Sequence, residues 1–330
     1  MKNQSTTPSQ GQNKTFLYLL LGFAGFFILS FIFIVFFIHH AISKSGGHSS
    51  FLSGSGEIDL IEIDGAIYQS DDIVRRIRRF KKSSDKALIL RLNSPGGAVA
   101  PSQEIYSEIL SARQDNKKIV VASMSSLAAS GAYYIAAACD KIVANPGTLT
   151  GSIGVIAEFP DASGLLKKVG VDFQTIKSGK FKDTGSFSRP MNKEERAYLQ
   201  ETVDDVFHQF FDAVIDGRKQ PLKEALAKRL KVKAGTINDL QIKNYILPYA
   251  DGRAITGHKA FELGLVDQLG NYDDAVQLTA TLAGIKGEPT VHADKPGKFD
   301  QLLDSILPFS LTSQLRQYSN SSLQLEYRAF

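Results

Sequence analysis

Residues 15–38, TFLYLLLGFAGFFILSFIFIVFFI, carry no charge, and they constrain this chain more than any other stretch. As a helix the run extends about 36 Å, enough to cross the hydrocarbon core of a bilayer with some tilt. It has no polar face, so it fits poorly as a helix of a soluble core. A cleavable signal peptide would have a shorter apolar region followed by a small-residue cleavage site. The sequence that follows, HHAISKSG, offers no such site. The run reads as a retained, single-pass anchor in a plasma membrane of the bacterial inner-membrane type. Lys2, Lys14 and the terminal amine lie before the span and Lys44 lies after it. The positive-inside rule then leaves residues 1–14 as a cytoplasmic stub and carries residues 39–330 to the outer side.

Residues 39–56 form a linker, Gly/Ser-rich over SKSGGHSSFLSGSG at 43–56. As a flexible coil that stretch spans about 20 Å, so the following domain floats just off the bilayer. The body begins near Glu57. The net charge of +4 comes mainly from the first fifty residues, which hold three lysines and no acidic residue. Without them, the 38 basic residues become 35, against 34 acidic ones. A near-neutral body lacks the basic face that nucleic acid requires. The single cysteine, Cys139, excludes an intrachain disulfide, and its apolar neighbours mark it as a small buried hydrophobe.

From Glu57 the pattern alternates. Strands are expected at 59–67, 87–92, 118–124, 141–144, 151–156 and 173–178. Between them, amphipathic or small-residue helices are expected at 71–82, 101–113, 130–139 and 162–170. Long helices follow over 192–229, and 257–283 closes the domain with more helix. This alternation predicts an α/β fold with a largely parallel sheet, spanning 57–284. Residues 285–330 read as a C-terminal tail.

Three Gly-containing turns follow strands in order: LNSPGGAV at 92–99, MSSLAASGAYY at 124–134 and GTLTGSIGV at 147–155. Acyl transfer needs a nucleophile at the mouth of a cleft and two N–H groups aimed at the developing oxyanion. Ser130, at a helix start between Ala129 and Gly131, meets the first need and leaves room for a substrate backbone. The Gly131 amide is at hand, and the Gly96–Gly97 turn can supply a second N–H. Ser130 also needs a base. The six histidines (39, 40, 48, 208, 258 and 292) occupy membrane-proximal, helical or C-terminal positions without a catalytic setting. The alternative is a lysine made neutral by burial. The segment IKSGKFKDTGS at 176–186 offers Lys177, Lys180 and Lys182, and composition does not choose among them. No metal or cofactor is expected.

Taken together, S-P-G-G, A-A-S-G-x-Y-Y, G-S-I-G-V, K-S-G-x-x-K-D, S-R-x-M and K-E-E-R, in this order and spacing, resemble the SppA (protease IV) signal peptide peptidases in their short form. The stretch 251–276 is also similar, so the resemblance covers roughly 57–284. It implies a Clp protease/crotonase-like fold, with Ser130 as nucleophile and Lys182 as general base. It further implies an oxyanion hole of Gly97 and Gly131 and a Ser152 that orients the lysine amine. Ala132 departs from the family, which commonly has a second glycine there. With one copy of the domain, the resemblance implies a homo-oligomer with active sites between subunits, acting on remnant signal peptides and other apolar or unfolded chains. Two other readings are a catalytically silent scaffold of this fold and a crotonase-type acyl-CoA enzyme.

Overall fold

The computed structural model describes residues 57–293 and the backbone of 326–328. The expected membrane span at 15–38 lies outside the described residues. Among those residues no helix is long and apolar enough to cross a membrane.

The first half is a run of strand–helix units. β1 (Ile58–Asp64) leads to α1 (Asp71–Lys82), β2 (Ala87–Ser94), the short β3 (Gly96–Ala98) and α2 (Val99–Gln114). β4 (Ile119–Ala129), α3 (Gly131–Ala137), β5 (Lys141–Ala144) and β6 (Leu149–Gly151) follow. After α4 (Ser163–Lys168) come α5 (Lys193–Gly217), α6 (Lys219–Leu230) and α7 (Asp239–Ile246). β7 (Ala254–Thr256), α8 (Gly257–Leu263), β8 (Gln268–Leu269), α9 (Tyr272–Leu282), β9 (Val291–Ala293) and β10 (Glu326–Arg328) complete the described elements.

The main sheet runs β7-β6-β4-β2-β1-β9, with β5 and β8 continuing from β4. Its pairs are parallel except β6 with β7. Strand alternation sorts the side chains onto two faces. Leu88, Leu90 and Leu92 of β2, with Val120, Ala122 and Met124 of β4, join the core that contains α1, α2, α3 and α5. Ala87 and Ile89 turn the other way onto Val276 and Ala280 of α9. Both faces are covered, which is why β2 reads as an unbroken apolar run rather than an alternating one. α1 shows how local chemistry agrees with this packing. Val74, Ile77 and Phe80 make its buried stripe, Asp71 and Asp72 occupy its first turn, and Arg79, Lys81 and Lys82 its last.

β4 is the pivot of the sheet. Its Val121–Met124 portion pairs with β5 and its Leu127–Ala129 portion with β6. Along β2 the register shifts between Leu92↔Met124 and Ser94↔Ala128. The strand therefore continues to Ala129, five residues beyond the expected end at 124. Two expected strands are absent. Residues 152–156 form no ladder beyond an isolated bridge position, and 173–178 are exposed coil. Phe173 and Ile176 have the composition of a strand, but they pair with no strand among the described residues. Conversely, Val291–Ala293, within the stretch read as tail, adds an edge strand to β1.

A buried ion pair fastens the helical half to the sheet. Arg218, at the α5–α6 junction, is 1% exposed, and its guanidinium lies 2.8 Å from Asp267. Asp267 also accepts the Ile142 amide at 2.8 Å. Beside them, the Tyr133 hydroxyl donates to the Leu265 carbonyl at 2.8 Å, and burial pushes its pKa up. Removing one partner of such a pair strands a buried charge, at a cost of about 3–5 kcal/mol. Arg218→Ala is accordingly expected to lower the urea midpoint by an amount corresponding to about 3 kcal/mol or more. Arg218→Leu combined with Asp267→Asn should lose clearly less.

Candidate active site

Ser130 sits where β4 ends and α3 begins, with φ +54° and ψ −119°. An L-residue avoids this conformation, which costs on the order of 1–3 kcal/mol. The sheet holds it there. Ala129 is in register with Gly151, the Ser130 amide donates to the Gly151 carbonyl at 2.8 Å, and the Ser130 carbonyl accepts the Tyr134 amide at 2.8 Å. Ala128, Ala129 and Ala132 around it are fully buried, so larger side chains have no room. Ser130 itself is 0% exposed, and its Oγ has no hydrogen-bond partner among the described residues. It does not cap the helix that it begins. A buried hydroxyl left unpaired costs about 1–3 kcal/mol. The fold thus bears two costs at one residue, a combination associated with functional sites.

The expected oxyanion donors flank this turn. Gly131 is the first residue of α3, whose leading N–H groups have no intrahelical acceptor. Gly97 lies in β3, which packs against α3. A Cβ at Gly97 would sit 2.2 Å from the Ile67 carbonyl oxygen, so the close approach of these two chains admits only glycine. The backbone of β10 pairs antiparallel with β3, with Tyr327 opposite Gly97, and β10 also lies against α3. A segment of the chain's own tail thus runs as an extended strand along the rim of the Ser130 turn.

Ser152 also has a positive φ, +50°, and is almost fully buried. Its Oγ donates to the Gly252 carbonyl at 3.0 Å rather than meeting a lysine. Because that bond uses only the hydroxyl hydrogen, the oxygen's lone pairs stay available to accept another donor.

The three candidate lysines lie on an irregular, turn-rich segment after α4. Lys177 ion-pairs with Asp183, and Lys180 with Glu194. Lys182 is exposed, and among the described residues its ammonium has no hydrogen bond or ion pair. Among the described residues no lysine or histidine hydrogen-bonds to the Ser130 hydroxyl. The segment also exposes Leu165, Val169, Phe173, Phe181 and Phe187, and Ile176 is 100% exposed.

What orders this segment is a cluster that the sequence reading did not assign a role. Arg189 donates to Asp183 at 3.0 Å and to Glu195 at 2.9 Å. Asn192 and Glu195 exchange bonds of 2.9 Å in a capping box that starts α5. The Asn-x-x-Glu spacing at 192–195 is the signal that could have identified it. The Arg189 guanidinium, then Lys177, holds the Asp183 carboxyl well below its ordinary range. Arg189, then the Asn192 amide, lowers Glu195 to about 2. Both carboxyls have depressed folded-state values. Their contribution is therefore present above the unfolded values, 3.8 and 4.5, and is lost as pH falls through the folded ones. Segment 177–195 should become protease-sensitive between about pH 4 and pH 2, ahead of the sheet. Arg189→Gln should bring the same sensitivity at neutral pH, read by limited proteolysis and hydrogen exchange.

Comparisons with known proteins bear on this geometry. A protein of Synechocystis provisionally named a protease is 42% identical over 232 residues, 69% of this chain and 75% of its own length. An Enterococcus faecium protein provisionally named signal peptide peptidase SppA is 34% identical over 226 residues, covering 68% of this chain and 59% of that protein. Among solved structures, a mutant of the membrane-bound stomatin-specific protease 1510-N aligns with a TM-score of 0.44 at 14% identity, over 73% of this chain and 99% of that one. The model of peptidase family S49 matches residues 112–236 and 238–286, a range that contains Ser130, Ser152 and Lys182. With more than half its length inside that match, the chain belongs to peptidase family S49, a family of serine-type proteases.

Proposed function

We propose that this chain is a membrane-anchored serine endopeptidase with a Ser130–Lys182 dyad on a Clp protease/crotonase-like fold. It cleaves remnant signal peptides and other apolar or unfolded polypeptides. The observation that carries the reading is the buried, strained Ser130 with an unpaired hydroxyl, inside the S49 match. In this mechanism the Ser130 Oγ attacks the scissile carbonyl carbon while its proton passes to the Lys182 amine. The amides of Gly97 and Gly131 hold the oxyanion. The lysine returns the proton to the leaving amine, and water then hydrolyses the acyl-enzyme ester with Lys182 again as base. The Ser152 oxygen accepts a lysine N–H through its open lone pairs. No cofactor enters. The pairing of β10 with β3 supports a substrate bound as an extended strand along the same edge.

Because the Ser130 hydroxyl has no partner among the described residues and Lys182 is exposed, the dyad is completed by a neighbouring copy. The exposed apolar residues of 163–187 are the surface that a second copy would cover. That burial would supply the desolvation a lysine base needs. Residues 15–38 anchor the assembly, with the catalytic domain outside the cytoplasm and its substrates close at hand. The separation of Ser130 and Lys182 also suits a silent scaffold, so the test discriminates the two. Ser130→Ala and Lys182→Ala should each lower kcat/KM on an apolar fluorogenic peptide by at least about 10³-fold. Mixing the two inactive variants should restore part of the activity. Full activity of Lys182→Ala would reassign the base to Lys177, Lys180 or a histidine. An assembled but inactive wild type would favour the scaffold.

A further inference from the structure

At the opposite end of the sheet from Ser130, three side chains from separate chain segments converge. Asp59 opens β1, His292 is its register partner on β9, and Asp85 lies just before β2. The His292 Nε2 is 3.6 Å from an Asp85 oxygen and 3.9 Å from an Asp59 oxygen. The three potential ligand atoms all fall within 4.8 Å of one another. These separations are too long for hydrogen bonds. The two His292 contacts lie close to the roughly 3.3–3.6 Å between neighbouring ligands of a tetrahedral ion bound at about 2.0–2.2 Å to each, so small side-chain shifts would close the site around an ion.

The Asp85 side chain is nine-tenths buried, and no donor among the described residues hydrogen-bonds to its carboxylate. The Lys118 charge acts on Asp85 through space, while its amine donates its hydrogen bonds to the backbone carbonyls of Ser83 and Asp85. Among the described residues His292 makes no hydrogen bond through either ring nitrogen, and its buried Nδ1 has no partner. A buried carboxylate with no donor is costly unless a cation stands against it. The His292 and Asp59 side chains remain 26% and 15% exposed, which leaves a path for an ion to enter.

We propose that Asp59, Asp85 and His292 bind a first-row divalent metal ion. One imidazole and two carboxylates favour zinc or manganese over calcium, which prefers oxygen ligands alone. The ion would staple the edge strand β9, and hence the start of the tail, to the first two strands. It takes no part in peptide hydrolysis, and the inference stands independently of the Ser130 reading.

The test uses the full chain without an affinity tag, freed of metal by chelation and titrated with zinc or manganese. One ion per chain should bind. At a hundredfold excess over the dissociation constant the ion should raise Tm by about 5 °C or more. Asp85→Asn and His292→Gln should each abolish both uptake and shift. The metal-free Asp85→Asn protein should be at least as stable as the metal-free wild type, because the variant removes a buried charge. Retention of the shift in both variants would place the ion elsewhere and overturn the proposal. So would the absence of binding by either ion to folded wild type.

Discussion

The architecture around the candidate site depends on the length of β4. A strand that stopped at Met124, level with the end of its β5 partner, would deliver no residue to the far edge of the sheet. The register shift against β2 lets β4 run on, leave β5 and take β6 as a second partner. Only then can the Gly151 carbonyl grip the Ser130 amide and hold the serine at positive φ. The extension also explains the small residues. Ala128 and Ala129 are completely buried where β2, β4, β6 and α3 converge, and close packing there penalises added volume.

The neighbouring parts answer to the same constraint. β3 approaches Ile67 so closely that only Gly97 fits, and α3 is tied to the connection between α8 and β8 through Tyr133 and the Leu265 carbonyl. The serine turn is thus rigid on three sides: the β6 carbonyl below, the helix ahead and β3 alongside. Its strain persists because this packing over-determines it. The lysine-bearing segment is built differently. It has no regular structure between α4 and α5, and its order comes from the Arg189–Asp183–Glu195 cluster and a capping box, with apolar side chains left facing solvent. A rigid nucleophile and a loosely supported base segment suit the proposed assembly, in which contact with another copy completes the site.

How much of this was legible follows from what each signal measures. The strand–helix alternation was readable because both sheet faces are covered, which gives β2 and β4 their apolar runs and α1 its clean stripe. The Ser130 turn was readable because Ala-Ala-Ser-Gly leaves little else for those positions to be. The absent strand at 173–178 marks the limit. Phe173 and Ile176 are apolar because of composition, and a strand also requires a partner edge, which no local pattern encodes. The reverse error is Val291–Ala293, too short to stand out, which becomes a strand only because β1 offers an open edge. Asp183, Arg189 and Glu195 were visible as motif letters, but their role emerged only once folding brought charges six residues apart into one cluster.

The sheet's two ends now separate by function. At the carboxyl ends of the parallel strands the fold maintains strain and an unpaired hydroxyl, features that lower stability and have value only if chemistry occurs there. At the amino ends, the buried Asp85 carboxylate has no hydrogen-bond donor among the described residues and faces only His292 at 3.6 Å and the charge of Lys118. Costs of a few kcal/mol matter against the marginal stability of a domain. The cost of the buried Asp85 carboxylate is what the proposed cation, held by Asp59, Asp85 and His292, would offset.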